Sequence, residues 1–251
     1  MKSLNTGFSL KAIKKLPLLI AVSLLIVIIL ICFFLFTYYP ADKDALDAMR
    51  SDDRVTVTKT GFGYFFDGPS EDTGFIFYPG ARVDETAYAP LMHSLAAEGT
   101  DTFIVSMPFR IPFFNRNGAD EVLKQYSRSE WYIGGHSLGG VLASDYAAEH
   151  SDIFSGIILL ASYPDRKIPD EMTEIQITGS EDGVINRDML ADSMKYAPEN
   201  YIGYIIEGGN HTQFGSYPIQ SGDGIAEISA QEQVRETVDV ITDSTIRHTF
   251  P

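Results

Sequence analysis

The chain begins with a uniformly apolar segment and continues with two alternating hydrophobic patterns. Residues 16–39 contain no charged side chain. Beyond residue 55, short runs of β-branched and aromatic residues, typical of buried strands, alternate with amphipathic stretches at helical spacing. The first two runs, VTVTK and GYFFDG, predict an antiparallel hairpin, and a stretch from about Ala226 to Ile246 predicts a closing helix. This order predicts an α/β fold: a mainly parallel sheet with helices on both faces and ligands at the carboxyl ends of the strands.

The apolar segment predicts a transmembrane helix. Its 24 residues, 16–39, would span roughly 36 Å as a helix, which is enough to cross a bilayer with some tilt. A cleavable signal peptide has a shorter apolar core and ends in small residues, which the sequence FTYYPADKD supplies poorly, so we favour a retained signal anchor over cleavage. Lipidation at Cys32 is disfavoured because Ile31 precedes it where a small residue is needed.

The charges around this segment predict its orientation. Four lysines precede it and two aspartates follow it: Lys2, Lys11, Lys14, Lys15, Asp42 and Asp44. The positive-inside rule therefore predicts a single-pass protein of the cell membrane, with a cytoplasmic N-terminus and an extracellular C-terminal domain. We expect a basic cytoplasmic tail at 1–15, the anchor helix at 16–39, a polar stalk at 40–54 and one globular domain at 55–251.

Composition narrows the possible partners and chemistry. The 251 residues carry a net charge of −15, and the part beyond the N-terminal lysines is more negative still. Such a surface repels phosphate, so nucleic acid and anionic lipid headgroups are not expected to bind the domain. The one cysteine, Cys32, lies in the apolar segment, which excludes a disulfide, a cysteine-based metal site and a cysteine nucleophile downstream. We find no cofactor fingerprint and no metal-ligand set, and the oligomeric state is not predicted.

A candidate nucleophile lies between a predicted strand and a predicted helix. Gly135-His136-Ser137-Leu138-Gly139 has the pattern G-x-S-x-G, which is weak alone but specific in this strand–turn–helix context. The sharp turn exposes the Ser137 hydroxyl and places the N–H of Leu138 at the helix N-terminus, where it can stabilise an oxyanion. The alternative interpretation is a glycine-rich turn with an N-cap serine.

A serine nucleophile needs a histidine base and an acid that orients it, in the chain order Ser, Asp or Glu, His. Chain order and distance exclude four of the five histidines: His93, His136, His150 and His248. His211, in EGGNHTQFG after the predicted strand YIGYIIE, remains, although a loop histidine with ordinary hydrogen bonds would give the same pattern.

The acid is predicted in the glycine-rich turn ITGSEDG. Asp182 is preferred because such a turn presents a carboxylate held by backbone N–H groups. Glu181, Asp188 and Asp165 are its competitors. A calcium loop is disfavoured because the spaced ligands and the terminal glutamate of that motif are missing.

Two further segments are expected near the site. In the loop Tyr78–Arg82, Gly80 allows the N–H of Ala81 to act as the second oxyanion donor. Arg82 is interpreted as a surface residue or as a charge on the substrate side. Three phenylalanines follow the predicted strand TFIVSM and form either an apolar wall of the site or core beneath a loop: Phe109, Phe113 and Phe114.

These motifs together resemble a known family. The segments FYPGARVDETAYAPLMHSLAAEG, SMPFRIPFFNRNGADEV, GGHSLGG, ITGSEDG and GGNHTQFGSYPIQSGDG resemble, in order, the small alpha/beta hydrolase fold-5 family, which is related to dienelactone hydrolases. The resemblance implies an alpha/beta-hydrolase sheet with little or no cap and a triad of Ser137, Asp182 and His211. Dienelactone hydrolases proper have cysteine as the nucleophile, so their lactone substrate does not carry over.

The sequence thus predicts a membrane-anchored serine hydrolase without a cofactor. An ester of a small molecule, or another acyl compound, is the expected substrate. A peptidase or a transacylase with the same triad remains an alternative, as does a membrane-tethered binding protein without catalytic activity.

Overall fold

The computed structural model describes residues 10–246, in two compact units that meet in the sequence between Thr37 and Tyr38. Lys2 and His248 lie outside the described residues. The first unit contains one helix, α1, at Leu10–Phe36. Its segment Leu19–Phe36 has a mean hydropathy of 3.4, is unburied, and is long and apolar enough to cross a membrane. The helix begins before the predicted boundary at residue 16 and ends before residue 39, because Tyr39 is held in the second unit.

The second unit contains an eight-stranded sheet. Its strands are β1 (Thr56–Lys59), β2 (Gly63–Asp67), β3 (Thr73–Tyr78), β4 (Thr100–Val105), β5 (Glu130–His136), β6 (Gly156–Leu160), β7 (Thr173–Gly179) and β8 (Asn200–Ile206). The spatial order is β1-β2-β4-β3-β5-β6-β7-β8. The pairs β1–β2 and β2–β4 are antiparallel and the others are parallel. The carboxyl ends of β3 to β8 therefore lie along one edge of the sheet.

Helices cover both faces of this sheet. They are α2 (Lys43–Ala48), α3 (Ala89–Ala97), α4 (Ala119–Leu123), α5 (Leu138–Glu149), α6 (Arg187–Ser193) and α7 (Ala230–Ile246), with short 3-10 turns between them. One core cluster joins α3 and α7 to one face, and a second joins α4 and α5 to the other. The predicted fold class is confirmed, and the closing helix begins four residues later than expected.

The segment 40–54, predicted to be a polar stalk, differs from that prediction. The second unit already begins at Tyr38, Tyr39 forms an isolated bridge with Val83, and α2 packs Ala45 completely out of solvent. Asp42 caps α2 by accepting the N–H of Ala45 and is itself bound by the Ser216 hydroxyl. Ala41, Ala48 and Met49 pack against the core, whereas Leu46 and most of the charged residues are exposed. The polar composition of the segment is compatible with a stalk as well as with this packed arrangement.

Candidate active site

Ser137 lies in a strained turn at the carboxyl end of β5. Its backbone has φ 53° and ψ −128°, a conformation that costs a non-glycine residue about 1–3 kcal/mol. The turn is held by hydrogen bonds on both sides: the Ser137 N–H donates to Leu160 O at 3.0 Å, and its carbonyl accepts the Ser162 hydroxyl at 2.7 Å. The chain enters α5 at the next residue, so the serine lies where β5 ends and a helix N-terminus begins.

The flanking glycines are required by close backbone contacts. A Cβ at Gly135 would lie 2.3 Å from the carbonyl oxygen of Tyr78, and one at Gly139 would lie 2.2 Å from the same atom. Both distances are below those of real Cβ contacts. The G-x-S-x-G spacing is therefore a packing requirement of this turn against the end of β3.

His211 and Asp182 form a buried pair beside this turn. Nδ1 of His211 lies 2.9 Å from Oδ2 of Asp182, and the two residues are 1% and 5% exposed. The His211 ring packs against the ring of His136, the residue before Ser137, with centroids 4.4 Å apart. Nε2 of His211 is buried and has no hydrogen-bond partner within the described part of the chain. The pair therefore presents an unpaired imidazole nitrogen beside the serine turn.

The surroundings of Asp182 keep it ionised. Oδ1 accepts the N–H groups of Val184 and Ile185, each at 2.8 Å. Burial by itself raises the pKa of Asp182, but the hydrogen bond and charge of His211, together with these two N–H groups, outweigh burial and leave the pKa below its usual value. A carboxylate in this position keeps the proton of His211 on Nδ1.

The three competing carboxylates point elsewhere. Glu181 accepts the Ser180 hydroxyl at 3.0 Å, and Asp188 is exposed on α6. Asp165 faces Asp145, where burial and then the neighbouring carboxylate raise the pKa of Asp145 to about 6. Among the carboxylates considered from the sequence, Asp182 is the one that contacts His211.

His136, which sequence reasoning excluded as a base, has a structural connection to the predicted oxyanion loop. Its Nδ1 lies 2.9 Å from the Tyr88 hydroxyl, and this hydroxyl also accepts the N–H of Gly80 at 3.0 Å. All three residues are buried. Burial, and then the charge of His211, hold the pKa of His136 well below its usual value, so this imidazole is neutral. No local sequence pattern marks Tyr88, since its role depends on a contact across 48 residues.

Two backbone N–H groups lie at the ends of β3 and β5 without an acceptor. The N–H of Ala81 is next to the tethered Gly80, and that of Leu138 is the first of α5; neither has a hydrogen-bond acceptor among residues 10–246. The loop after β3 that carries Ala81 is held in place by the next residue, because the Arg82 N–H donates to Arg110 O at 2.7 Å. Arg82 itself is half-buried at a left-handed φ of 62°.

Asp223 connects the loops that carry Asp182 and His211. Its carboxylate accepts five hydrogen bonds at 2.5–3.2 Å, from the N–H groups of Gly183, His211, Thr212 and Gly224 and from the Thr212 hydroxyl. Sequence reasoning misses this aspartate, which lies in the segment SYPIQSGDG, because no local pattern marks an acid that binds distant backbone groups.

The phenylalanines after β4 are exposed, which excludes the interpretation that they are core. Phe109, Phe113 and Phe114 are 48%, 57% and 56% exposed. No cluster of three or more His, Cys, Asp or Glu side chains suited to a metal ion occurs among the described residues.

The comparisons with known proteins agree with this architecture. The model of the alpha/beta hydrolase family matches residues 74–235. A comparison with curated protein sequences gives no significant match.

Solved structures with the same fold include several hydrolases. Dienelactone hydrolase from Anabaena variabilis is 13% identical with a TM-score of 0.54, covering 77% of this chain and 98% of its own. Naproxen esterase from Bacillus subtilis is 12% identical with a TM-score of 0.53, covering 82% and 95%. A soluble variant of monoglyceride lipase from Saccharomyces cerevisiae is 11% identical with a TM-score of 0.55, covering 81% and 97%. Because the family model covers most of the chain and the sheet has the corresponding topology, the protein belongs to the alpha/beta hydrolase family.

Proposed function

We propose that the protein is a membrane-anchored serine hydrolase that cleaves carboxylic esters through a triad of Ser137, Asp182 and His211. The observation that carries the proposal is the buried Asp182–His211 pair packed beside a serine with a left-handed φ. Esterases and a lipase among proteins of the same fold support ester hydrolysis in general.

The proposed chemistry assigns one role to each of the three side chains. Nε2 of His211 takes the proton of the Ser137 hydroxyl as its oxygen attacks the ester carbonyl carbon. The developing oxyanion accepts hydrogen bonds from the N–H groups of Ala81 and Leu138. Asp182 remains ionised, orients the imidazole and stabilises its positive charge.

The reaction is completed by release of the alcohol and then by hydrolysis of the acyl-enzyme. The tetrahedral intermediate expels the alcohol, which leaves with the proton from His211, and the acyl group stays on Ser137. Water next gives a proton to His211 and attacks the acyl carbon, and collapse of the second intermediate returns the proton to the serine oxygen and releases the acid. Each step uses groups of this chain and water alone.

The anchor belongs to the same proposal. Helix α1 would insert as a signal anchor, with the lysines that precede residue 16 in the cytoplasm and the catalytic domain outside the cell. Protease treatment of intact cells tests this orientation: digestion of the domain supports it, and a domain protected until the cells are lysed contradicts it.

A fluorophosphonate probe tests the catalytic part. We expect the full chain in detergent to be labelled, and labelling to be lost in Ser137→Ala. Absence of labelling in folded wild-type protein would contradict the triad and favour a membrane-tethered binding protein. Because a peptidase or a transacylase would also be labelled, p-nitrophenyl esters, peptides and acyl acceptors are then compared, and esters are expected to react fastest.

A further inference from the structure

Three exposed aromatic side chains follow β4 and form what we call the aromatic patch: Phe109, Phe113 and Phe114. The rings of Phe109 and Phe114 pack edge to face with centroids 5.9 Å apart. Although the chain is strongly acidic, residues 102–119 contain no Asp or Glu, and the two arginines among them form ion pairs outside the segment, Arg110 with Asp84 and Arg116 with Asp145. The patch is therefore an apolar surface on a segment without negative charge.

The aromatic patch lies at the same sheet edge as Ser137. It continues directly from the carboxyl end of β4, and β3 is the one strand between β4 and β5. With strands about 4.8 Å apart, the ends of β4 and β5 are roughly 10 Å apart. The hydrogen bond from the Arg82 N–H to Arg110 O joins the patch segment to the predicted oxyanion loop.

The chain enters the domain at this edge as well. Tyr38, the first residue of the second unit, has its ring covered by the Arg110 guanidinium at 3.5 Å from the ring centroid. Its neighbour Tyr39 forms a bridge with Val83, in the loop after β3. Tyr38 follows the last residue of α1, Phe36, by two positions, so an extended chain spans at most about 7 Å between them. Because two positions separate Phe36 from Tyr38, a chain anchored by α1 would be tethered to the membrane beside the residue that contacts Arg110.

We propose that the aromatic patch docks on the outer leaflet of the bilayer that α1 crosses. This inference rests on the proposed membrane anchoring but not on catalysis. Phenylalanine gains free energy by leaving water for the interfacial region, and residues 102–119 contain no carboxylate that would have to leave water with the patch. Docking there turns the sheet edge that carries Ser137 toward the membrane.

Fluorescence quenching by brominated lipid tests the docking. The wild-type chain has a single tryptophan, Trp131, which is 7% exposed. It lies near the amino end of β5, away from the edge that carries Ser137, so its emission serves as the background. The full chain is reconstituted in nanodiscs of phosphatidylcholine, either plain or brominated near the top of the acyl chains. Phe113→Trp and Phe114→Trp each place one additional tryptophan in the patch. If one of these variants does not fold, the other is measured alone.

The matched control is Ile153→Trp. Ile153 is 37% exposed in the turn between α5 and β6, at the amino ends of the parallel strands and therefore at the opposite edge of the sheet from the patch. We expect brominated lipid to reduce the added emission of Phe113→Trp and Phe114→Trp and to leave Ile153→Trp and wild type unchanged.

The other outcomes overturn the proposal. Equal quenching of Ile153→Trp would mean that the domain contacts lipid without a preferred orientation. No quenching in either patch variant would mean that the patch does not reach lipid. A chain that does not remain with the nanodiscs would exclude anchoring and docking together. Fluorophosphonate labelling of the same samples reports on Ser137 separately, so failure of catalysis and failure of docking are distinguished.

Discussion

Tyr88 connects the loop after β3 to the serine turn, because its hydroxyl lies 2.9 Å from Nδ1 of His136 and accepts the N–H of Gly80 at 3.0 Å. With the Gly80 N–H as donor, the tyrosine proton is directed at His136. A Cβ at Gly80 would lie 2.8 Å from this imidazole nitrogen and 2.9 Å from the hydroxyl, so no larger residue fits between them. The contact sets the distance between Gly80, which precedes Ala81, and His136, which precedes Ser137.

Removing this hydroxyl should weaken catalysis more than substrate binding. We expect Tyr88→Phe to lower kcat about 10-fold, less than the 10²–10³-fold expected when an oxyanion donor is removed outright, since the Ala81 N–H remains but is less well positioned. KM for a p-nitrophenyl ester should change little. The measurement is steady-state kinetics of the full chain in detergent together with a thermal unfolding curve.

A second buried tyrosine provides the control for that variant. The Tyr146 hydroxyl donates to Asp120 at 2.5 Å, and Tyr146 lies nine residues along α5 from Ser137, about 14 Å away. Tyr146→Phe should reduce thermal stability without a selective fall in kcat. If both variants lose kcat equally, Tyr88 acts through stability alone and the positioning role is wrong.

Asp182→Asn should abolish most of the activity while leaving the fold intact. An amide can still accept the N–H groups of Val184 and Ile185, but beside His211 it can also donate, which favours the imidazole tautomer with the proton on the wrong nitrogen. By the usual effect of this change in a serine triad, kcat is expected to fall about 10³–10⁴-fold. Steady-state ester hydrolysis measures it. Asp188→Asn, at an exposed carboxylate of the same segment, should retain wild-type kcat; a matching loss there would contradict the assignment of Asp182.

The sequence was informative where function depends on local pattern and chain order. The alternation of strand and helix patterns predicted the α/β fold, and the G-x-S-x-G turn marked Ser137 because glycine is required at both flanks. The preference for Asp182 used the glycine-rich turn alone, yet the contact with His211 spans 29 residues.

What could not be predicted depends on contacts between distant segments. Tyr88 is a buried tyrosine before a helix, and nothing in its local sequence distinguishes it from a core residue. The polar segment after α1 lacks a hydrophobic pattern, yet Tyr39 pairs with a loop 44 residues away. Exposure of Phe113 likewise depends on how the turns after β4 fold, since an apolar run in a loop is compatible with core or surface.

Asp223→Ala should loosen both loops of the candidate site at once. The variant removes the carboxylate that accepts five hydrogen bonds from residues 183, 211, 212 and 224, and these donors then have only water to bind. We expect a loss of about 2 kcal/mol in the free energy of unfolding and faster amide exchange at His211 and Thr212. Hydrogen–deuterium exchange with mass spectrometry measures the local effect. Asp239→Ala, on the surface of α7, is the control, and unchanged exchange at His211 in Asp223→Ala would show that the carboxylate does not hold this loop.

Glu174 should make the fold less stable as the pH rises through neutrality. It is 1% exposed in β7, its Oε2 has no hydrogen-bond partner among the described residues, and burial, opposed by the charge of Lys167, raises its pKa from 4.5 to about 7. The folded state prefers the protonated carboxyl, so the contribution of Glu174 to stability is complete below about pH 4.5. As the pH rises through 7 this contribution is lost, which lowers the free energy of unfolding by at most about 3 kcal/mol. Glu174→Gln stays neutral, so chemical unfolding in detergent should show a smaller difference between pH 5 and pH 8 than wild type does. The exposed Glu171→Gln should keep the wild-type difference; if Glu174→Gln keeps it too, Glu174 ionises in the folded protein at its ordinary pKa.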